Sequence, residues 1–178
     1  MKHKKLLSIA TATLTLALFV LSGCQKKEDV LKLNAPFTKM DWNNSKDDVI
    51  AAEGDDYETY DSVYNGTTYS FNKKYNSEDG TVKYMFDDKD KLMCVAWSYS
   101  TTDLKALEDL YTKINDDLTN EYGDSGYNTD EAENTINNYG NIWYLDFGDI
   151  VLSAMTTEEN KALQVAFLHP DVSYSEDE

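Results

Sequence analysis

The residue types that most often carry out catalysis are scarce in this chain. It has two histidines, His3 and His169, and two cysteines, Cys24 and Cys94. Cys94 lies in an apolar run (LMCVAW), which predicts a small buried side chain and not a reactive thiol. One histidine at each end of the chain and one buried cysteine do not make a zinc site. The chain also lacks a serine nucleophile elbow and a glycine-rich phosphate loop. We therefore expect no catalytic residues, no metal and no cofactor.

One acidic segment could offer ligands to a cation. Asp124–Glu131 (DSGYNTDE) places oxygen-bearing side chains at alternate positions, as a calcium-binding loop does. Gly126 stands where such a loop needs a ligand, and the closing glutamate is misplaced. The pattern favours a solvated loop over a calcium site.

Charge excludes one class of partner. The chain carries 33 acidic residues against 16 basic ones, has a net charge of −17, and contains no arginine. Phosphate backbones are bound by clustered lysine and arginine side chains. We expect no nucleic-acid partner, and we expect the acidity to serve solubility.

The N-terminus has the three parts of a secretory signal. Three early lysines precede the apolar stretch 6–21, and Leu21, Ser22, Gly23 and Cys24 follow before a polar run. The apolar stretch is shorter than the roughly 20 residues of a membrane-spanning helix. This pattern predicts that residues 1–23 are a signal peptide that is removed.

Leu21-Ser22-Gly23-Cys24 resembles the lipobox of bacterial lipoproteins. In that family the cysteine thiol receives a diacylglyceryl group, and a dedicated signal peptidase recognises the three preceding residues. The resemblance implies that Cys24 is the lipid-bearing first residue of the mature protein. We expect residues 24–35 to be a lipidated tether on the extracytoplasmic face of the cell membrane.

Apolar spacing predicts the elements of the first half of the domain. Ser45 and Asp48 form a capping-box pattern for a short helix over residues 46–53, which Gly54 ends. Alternation and turn residues then predict four strands, over residues 57–64, 67–75, 81–86 and 92–99. Asn65-Gly66 is a strong signal for the first hairpin turn.

The second half repeats this order. A cap at residues 101–103 and apolar residues every three or four positions predict an amphipathic helix that ends at Gly123. A polar loop follows over residues 124–139. Three strands are predicted over residues 141–147, 149–156 and 161–169, and residues 171–178 form an acidic disordered tail.

These elements predict an α+β fold for residues 36–170. We expect two units, each a helix followed by an antiparallel meander, with the helices packed on one face of the sheet. The segment Trp42–Ile50 (WNNSKDDVI), the YMF…KL hairpin from Tyr84 and the NEYG run that ends at Gly123 resemble the BamE (SmpA/OmlA) and β-lactamase-inhibitor-protein-like group. That resemblance implies an envelope lipoprotein or a secreted inhibitor that offers a sheet face to partner proteins.

Aromatic residues are the remaining signal for binding, because tyrosine and tryptophan supply large contact areas at low entropic cost. The candidate partner face consists of Tyr84, Trp97, Tyr99 and Trp143, although aromatic residues of this kind also pack in cores. We expect a non-enzymatic binding or scaffolding lipoprotein whose partner is an envelope protein or a cell-wall component. The alternatives are an inhibitor of a secreted hydrolase and a carboxylate-dependent glycan hydrolase.

Overall fold

A computed structural model describes residues 31–128 and 138–173 of the chain. In the described residues the chain forms two α-helices, eight strands and a terminal 3₁₀ turn. In chain order these are α1 (Lys46–Glu53), β1 (Tyr57–Asp61), β2 (Asn65–Tyr75), β3 (Glu78–Asp87), β4 (Leu92–Thr101), α2 (Leu104–Tyr122), β5 (Tyr127–Asn128), β6 (Asn138–Trp143), β7 (Ile150–Thr156), β8 (Lys161–Leu168) and the 3₁₀ turn Pro170–Val172.

All eight strands belong to one antiparallel sheet in the order β1-β2-β3-β4-β8-β7-β6-β5. The prediction of two helix-plus-meander units is therefore wrong. The two meanders merge because β4 pairs with β8 along eight residue pairs, from Cys94 opposite Leu168 to Thr101 opposite Lys161. The result is a single sheet that dominates the described part of the chain, with two helices beside it.

Each helix begins after a side chain that caps its N-terminus and ends at a glycine. Ser45 accepts a hydrogen bond from the Asp48 backbone N–H, and the Asp48 carboxylate accepts one from the Ser45 N–H, so the predicted capping box is confirmed. Asp103 caps α2 by accepting from two backbone N–H groups, and Gly123 ends it at a φ of 86°. The five buried side chains of α2 are Leu107, Leu110, Tyr111, Ile114 and Leu118.

The core lies between the helices and one face of the sheet. A single cluster of buried residues contains Val49 of α1, the apolar stripe of α2 and alternate residues of β2, β3, β4, β7 and β8. Leu33 and Ala35 belong to this cluster and are 0% and 4% exposed. Both residues fall within the predicted tether of residues 24–35, so the packed part of the chain starts earlier than predicted, before residue 36.

The first hairpin turns earlier than its sequence signal suggested. Asn65 has a φ of 69°, and its N–H donates to the Ser62 carbonyl, so Asn65 closes the turn. Gly66 already belongs to β2. A Cβ atom at Gly66 would overlap the backbone carbonyl of Asp87 on the neighbouring strand, so glycine is needed there for the close approach of two backbones.

Part of the predicted tail is ordered. Residues 170–172 form the 3₁₀ turn, and Asp171 makes an ion pair with Lys91. The prediction of disorder is therefore wrong for the start of the tail. Residues 174–178 lie outside the described residues.

Candidate functional site

The four aromatic residues of the expected partner face lie in the core. Tyr84 and Trp97 are 0% exposed, Trp143 is 1% exposed and Tyr99 is 9% exposed. The indole of Trp97 donates to the Lys73 carbonyl at 2.9 Å, and that of Trp143 donates to the Gly123 carbonyl at 2.9 Å. These four side chains belong to the core cluster on the helix-covered face, and of the four only Tyr99 is also among the residues that line the groove described below. Alternation in the sequence identifies residues that share a face, but it does not tell which face the helices cover.

The opposite face of the sheet carries small and polar side chains. On β4, Cys94, Ala96 and Ser98 alternate with the core residues Val95, Trp97 and Tyr99. On β8, Ala162, Gln164 and Ala166 alternate with Leu163, Val165 and Phe167 in the same way. No described helix covers this second face, which we call the open face.

The register of strand pairing places the side chains of the open face in rows that run across the strands. One row runs from Lys83 through Ala96, Ala166 and Val151 to Ile142. The next row consists of Thr81, Ser98, Gln164, Ser153 and Gly140. Ala96 and Ala166 of the first row are buried and packed against Tyr64, Met85 and Leu168. The second row is made of small and polar residues, and its Ser98, Gln164, Ser153 and Gly140 line a hollow in the open face.

This hollow is a groove of about 640 Å³, within the range of ligand-binding clefts. Ser98, Ser153 and Gln164 lie on its floor, and Gln164 Nε2 donates to Ser98 Oγ at 3.3 Å. Ile142, Val151, Met155 and Tyr127 form an apolar wall at one end, and Met155 and Tyr127 are 50% and 51% exposed. Lys83 lies at the other end.

The groove differs in charge from the rest of the chain. Lys83 is the only charged side chain among the described residues that line the groove. The lining contains no aspartate, glutamate, histidine or cysteine from the described part of the chain. The described lining therefore lacks the carboxylate, imidazole and thiol groups that most often transfer protons or bind metals, and it offers apolar contact, hydrogen bonding and one positive charge.

A second polar group lies on the helix-covered face. The Glu53 side chain, 6% exposed, accepts from Lys73 Nζ at 2.6 Å and from the Tyr84 hydroxyl at 2.6 Å. The Tyr84 hydroxyl also lies 2.7 Å from Thr38 Oγ1. Burial, and then the hydrogen bond to Glu53, raise the pKa of Tyr84. Since each member has a partner, this group ties the end of α1 to the sheet.

Two further residues that stand out in the sequence, Cys94 and His169, are buried. Cys94 is 3% exposed, so its predicted burial is confirmed, and burial raises the pKa of its thiol to about 12. His169 Nδ1 accepts from the Asp171 backbone N–H at 3.0 Å, and its ring packs edge-on against Trp42. Burial, and then the charge of Lys91, lower the pKa of His169.

The other expected sites lie wholly or partly outside the described residues. Leu21, Ser22, Gly23 and Cys24 fall in residues 1–30, and the acidic segment Asp124–Glu131 is described only to residue 128. In the part of the chain that is described, no three histidine, cysteine or acidic side chains are grouped as metal ligands. Neither helix within residues 31–128 and 138–173 has the length and apolar character to span a bilayer.

The fold and the groove define an antiparallel sheet protein with one face covered and one face open. No protein-family model matches the chain, and no curated protein or solved structure matches it either.

Proposed function

We propose that this protein is a non-enzymatic binding module that holds a partner on the open face of its sheet. The groove carries this proposal. A large sheet whose second face is covered by no described helix, and whose groove is lined by apolar groups, uncharged hydrogen-bonding groups and one lysine, is suited to binding, because it offers contact area to a partner. A glycan hydrolase of the two-carboxylate type is disfavoured for this groove, because its described lining has no carboxylate.

We also propose that the module is anchored outside the cytoplasm by a lipid on Cys24. The lipobox-like sequence supports this, and the chain order adds a geometric consequence. Seven residue steps separate Cys24 from Leu31, where the described chain starts, and Leu33 is already in the core. A fully extended chain spans at most about 3.6 Å per residue. The domain would therefore be held within about 25 Å of the lipid, and its partner would be an envelope protein or a cell-wall component.

A groove-filling variant tests the binding proposal. Ser153 lies on the groove floor opposite Gln164 and Gly140, so Ser153→Trp would fill the hollow. Glu108→Trp is the matched control, because it places the same side chain on the exposed surface of α2. Both variants and the wild type would be used as bait against detergent-solubilised envelope and against purified cell wall.

The proposal expects a stoichiometric partner that the wild type and Glu108→Trp retain and that Ser153→Trp loses. Equal recovery by Ser153→Trp would place binding elsewhere on the molecule. Repeated blanks for the wild type against both materials would remove the proposal. Anchoring is tested separately by mass spectrometry of the N-terminal peptide, which should carry a diacylglyceryl group on Cys24, whereas an unmodified Cys24 would end that part of the account.

A further inference from the structure

Lys83 is the lysine that lines the groove, and like Lys32, Lys39, Lys89 and Lys161 it has no ion pair with a described residue. Six others form ion pairs with a carboxylate, namely Lys46, Lys73, Lys74, Lys91, Lys105 and Lys113. Lys83 forms none with a described residue, although it is partly buried and the chain has 33 acidic residues. A partly desolvated cation that has no counterion among the described residues is suited to an anionic group that arrives with a ligand.

The remainder of the groove indicates what else that ligand would carry. Next to Lys83 the floor offers uncharged side chains, Ser98, Gln164 and Ser153, that can bond to amide groups. At the far end Val151 and Ile142 offer apolar contact. The three kinds of surface follow one another across the sheet, so a matching ligand is elongated and has an anionic end, an amide-like middle and an apolar end.

Strand spacing sets the length of such a ligand. Lys83 is on β3, Val151 is on β7 and Ile142 is on β6, and their separation follows from the strand order β3-β4-β8-β7-β6. At about 4.8 Å per strand, Lys83 lies about 14 Å from Val151 and about 19 Å from Ile142. An extended peptide advances about 3.3 Å per residue, so these distances correspond to about four to six residues.

From this arrangement, and on the basis of the binding function proposed above, we infer that the groove takes an extended peptide segment of a partner protein. An acidic side chain of the segment pairs with Lys83, and an apolar side chain four to six residues away packs against Val151 and Ile142. The backbone between them crosses the row formed by Ser98, Gln164 and Ser153. The segment thus runs across the strands and does not add a strand to either sheet edge.

A set of synthetic peptides tests the inference. Each fluorescein-labelled peptide carries one leucine and one aspartate separated by one to nine residues of serine and glycine, in both orders. Fluorescence polarisation measures binding to the lipid-free mature chain, residues 25–178, which contains every element of the sheet and both helices. Partner peptides in which asparagine replaces the aspartate measure the contribution of the charge.

We expect the strongest binding where the aspartate lies four to six positions from the leucine. Replacing the aspartate by asparagine should weaken binding about fivefold, the size expected for a partly exposed charged hydrogen bond. Lys83→Gln should cause a similar loss and should abolish the difference between the two peptides. Lys89→Gln is the control, because Lys89 is exposed on the β3–β4 turn away from the groove. Ser153→Trp should remove binding, and Gln164→Trp serves the same purpose if Ser153→Trp does not fold.

The inference and the proposed function fail in different ways. Peptide binding that is lost on filling the groove but is indifferent to the charge of Lys83 overturns the inference and leaves the groove as a binding site. No binding by any peptide at millimolar concentration overturns the inference, and the envelope experiment then decides the proposed function by itself. If dodecanoate binds in a Lys83-dependent way where the peptides do not, the groove takes a fatty acid and the peptide inference is wrong. Peptide binding that survives both groove-filling variants overturns the inference and counts against the groove.

Discussion

Replacing Trp97 by phenylalanine tests whether Trp97 is a core residue or a partner-facing residue. Its ring is 0% exposed, it packs edge-on against Tyr75 with ring centroids 5.2 Å apart, and it is stacked on Tyr99. Phenylalanine keeps an aromatic ring at this place but removes the indole N–H and part of the ring.

The size of the effect follows from these contacts. Losing the hydrogen bond from Trp97 Nε1 to the Lys73 carbonyl costs about 1 kcal/mol, since that carbonyl becomes less well satisfied. The smaller ring leaves about 40 Å² of apolar surface without a partner, which costs about 1 kcal/mol more before any cavity is counted. We expect Trp97→Phe to lower the free energy of unfolding by about 2 to 3 kcal/mol.

Urea denaturation followed by circular dichroism measures this loss on the chain of residues 25–178. With a denaturant slope of about 2 kcal/mol per molar, the midpoint should fall by about 1 to 1.5 M. The control is Tyr60→Leu, because Tyr60 is 45% exposed on β1, and it should change stability by less than about 0.5 kcal/mol. If Trp97→Phe is as mild as this control, Trp97 is not in the core and our assignment of the covered face is wrong.

Two further substitutions and one change of pH should alter the stability of the protein. Glu53→Gln should destabilise the protein by about 2 kcal/mol, because the buried Glu53 carboxylate accepts from both Lys73 Nζ and the Tyr84 hydroxyl, and a neutral amide weakens both hydrogen bonds; a change below about 0.5 kcal/mol in a urea titration would show that the pair does not hold α1. Gly148→Ala should cost about 3 kcal/mol or prevent folding, because Gly148 has a φ of 121° and an added Cβ would overlap the Leu168 carbonyl; normal thermal stability would refute this geometry. Burial lowers the pKa of His169 in the folded state, so the unfolded chain binds the proton more readily. The contribution of His169 to stability should be full above pH about 6.5 and should be lost as the pH drops through the folded pKa. The urea midpoints at pH 7.5 and 5.5 should therefore differ less in His169→Gln than in the wild type, and an equal difference would assign the effect to other groups.

Local structure was predictable because its causes are local. The Ser45–Asp48 capping box and the apolar stripe of α2 each depend on residues within a few turns of one helix. The burial of Cys94 followed from the apolar residues around it in the chain. In these places the residues that determine the structure are adjacent in the sequence.

Long-range arrangement was not predictable in the same way. The two meanders become one sheet through the pairing of β4 with β8, which joins residues such as Cys94 and Leu168 that are far apart in the chain. The alternation of apolar residues within a strand does not indicate which other strand pairs with it. Because that pairing was missed, the fold was divided into two units, and the covered face could not be recognised.

The groove had a signal that was overlooked. Cys94, Ala96 and Ser98 on one strand, and Ala162, Gln164 and Ala166 on another, alternate with large apolar residues. Two strands with small residues on the same face predict a hollow if the strands are neighbours. Strand pairing places Ser98 and Gln164 side by side in the groove. Cys94, Ala96 and Ala166 are buried against Tyr64, Met85 and Leu168, and Tyr84, Trp97 and Trp143 lie on the covered face.

Site-specific photocrosslinking tests most directly whether the open face is the binding face. A photoreactive phenylalanine would replace Met155, which is 50% exposed at the rim of the groove, and in a second protein Glu108, which is exposed on α2. In the native envelope we predict a discrete crosslinked partner from position 155 and none from position 108, with the crosslink lost when Ser153→Trp is added. The same product from position 108, or a product from position 155 that survives Ser153→Trp, would contradict the account.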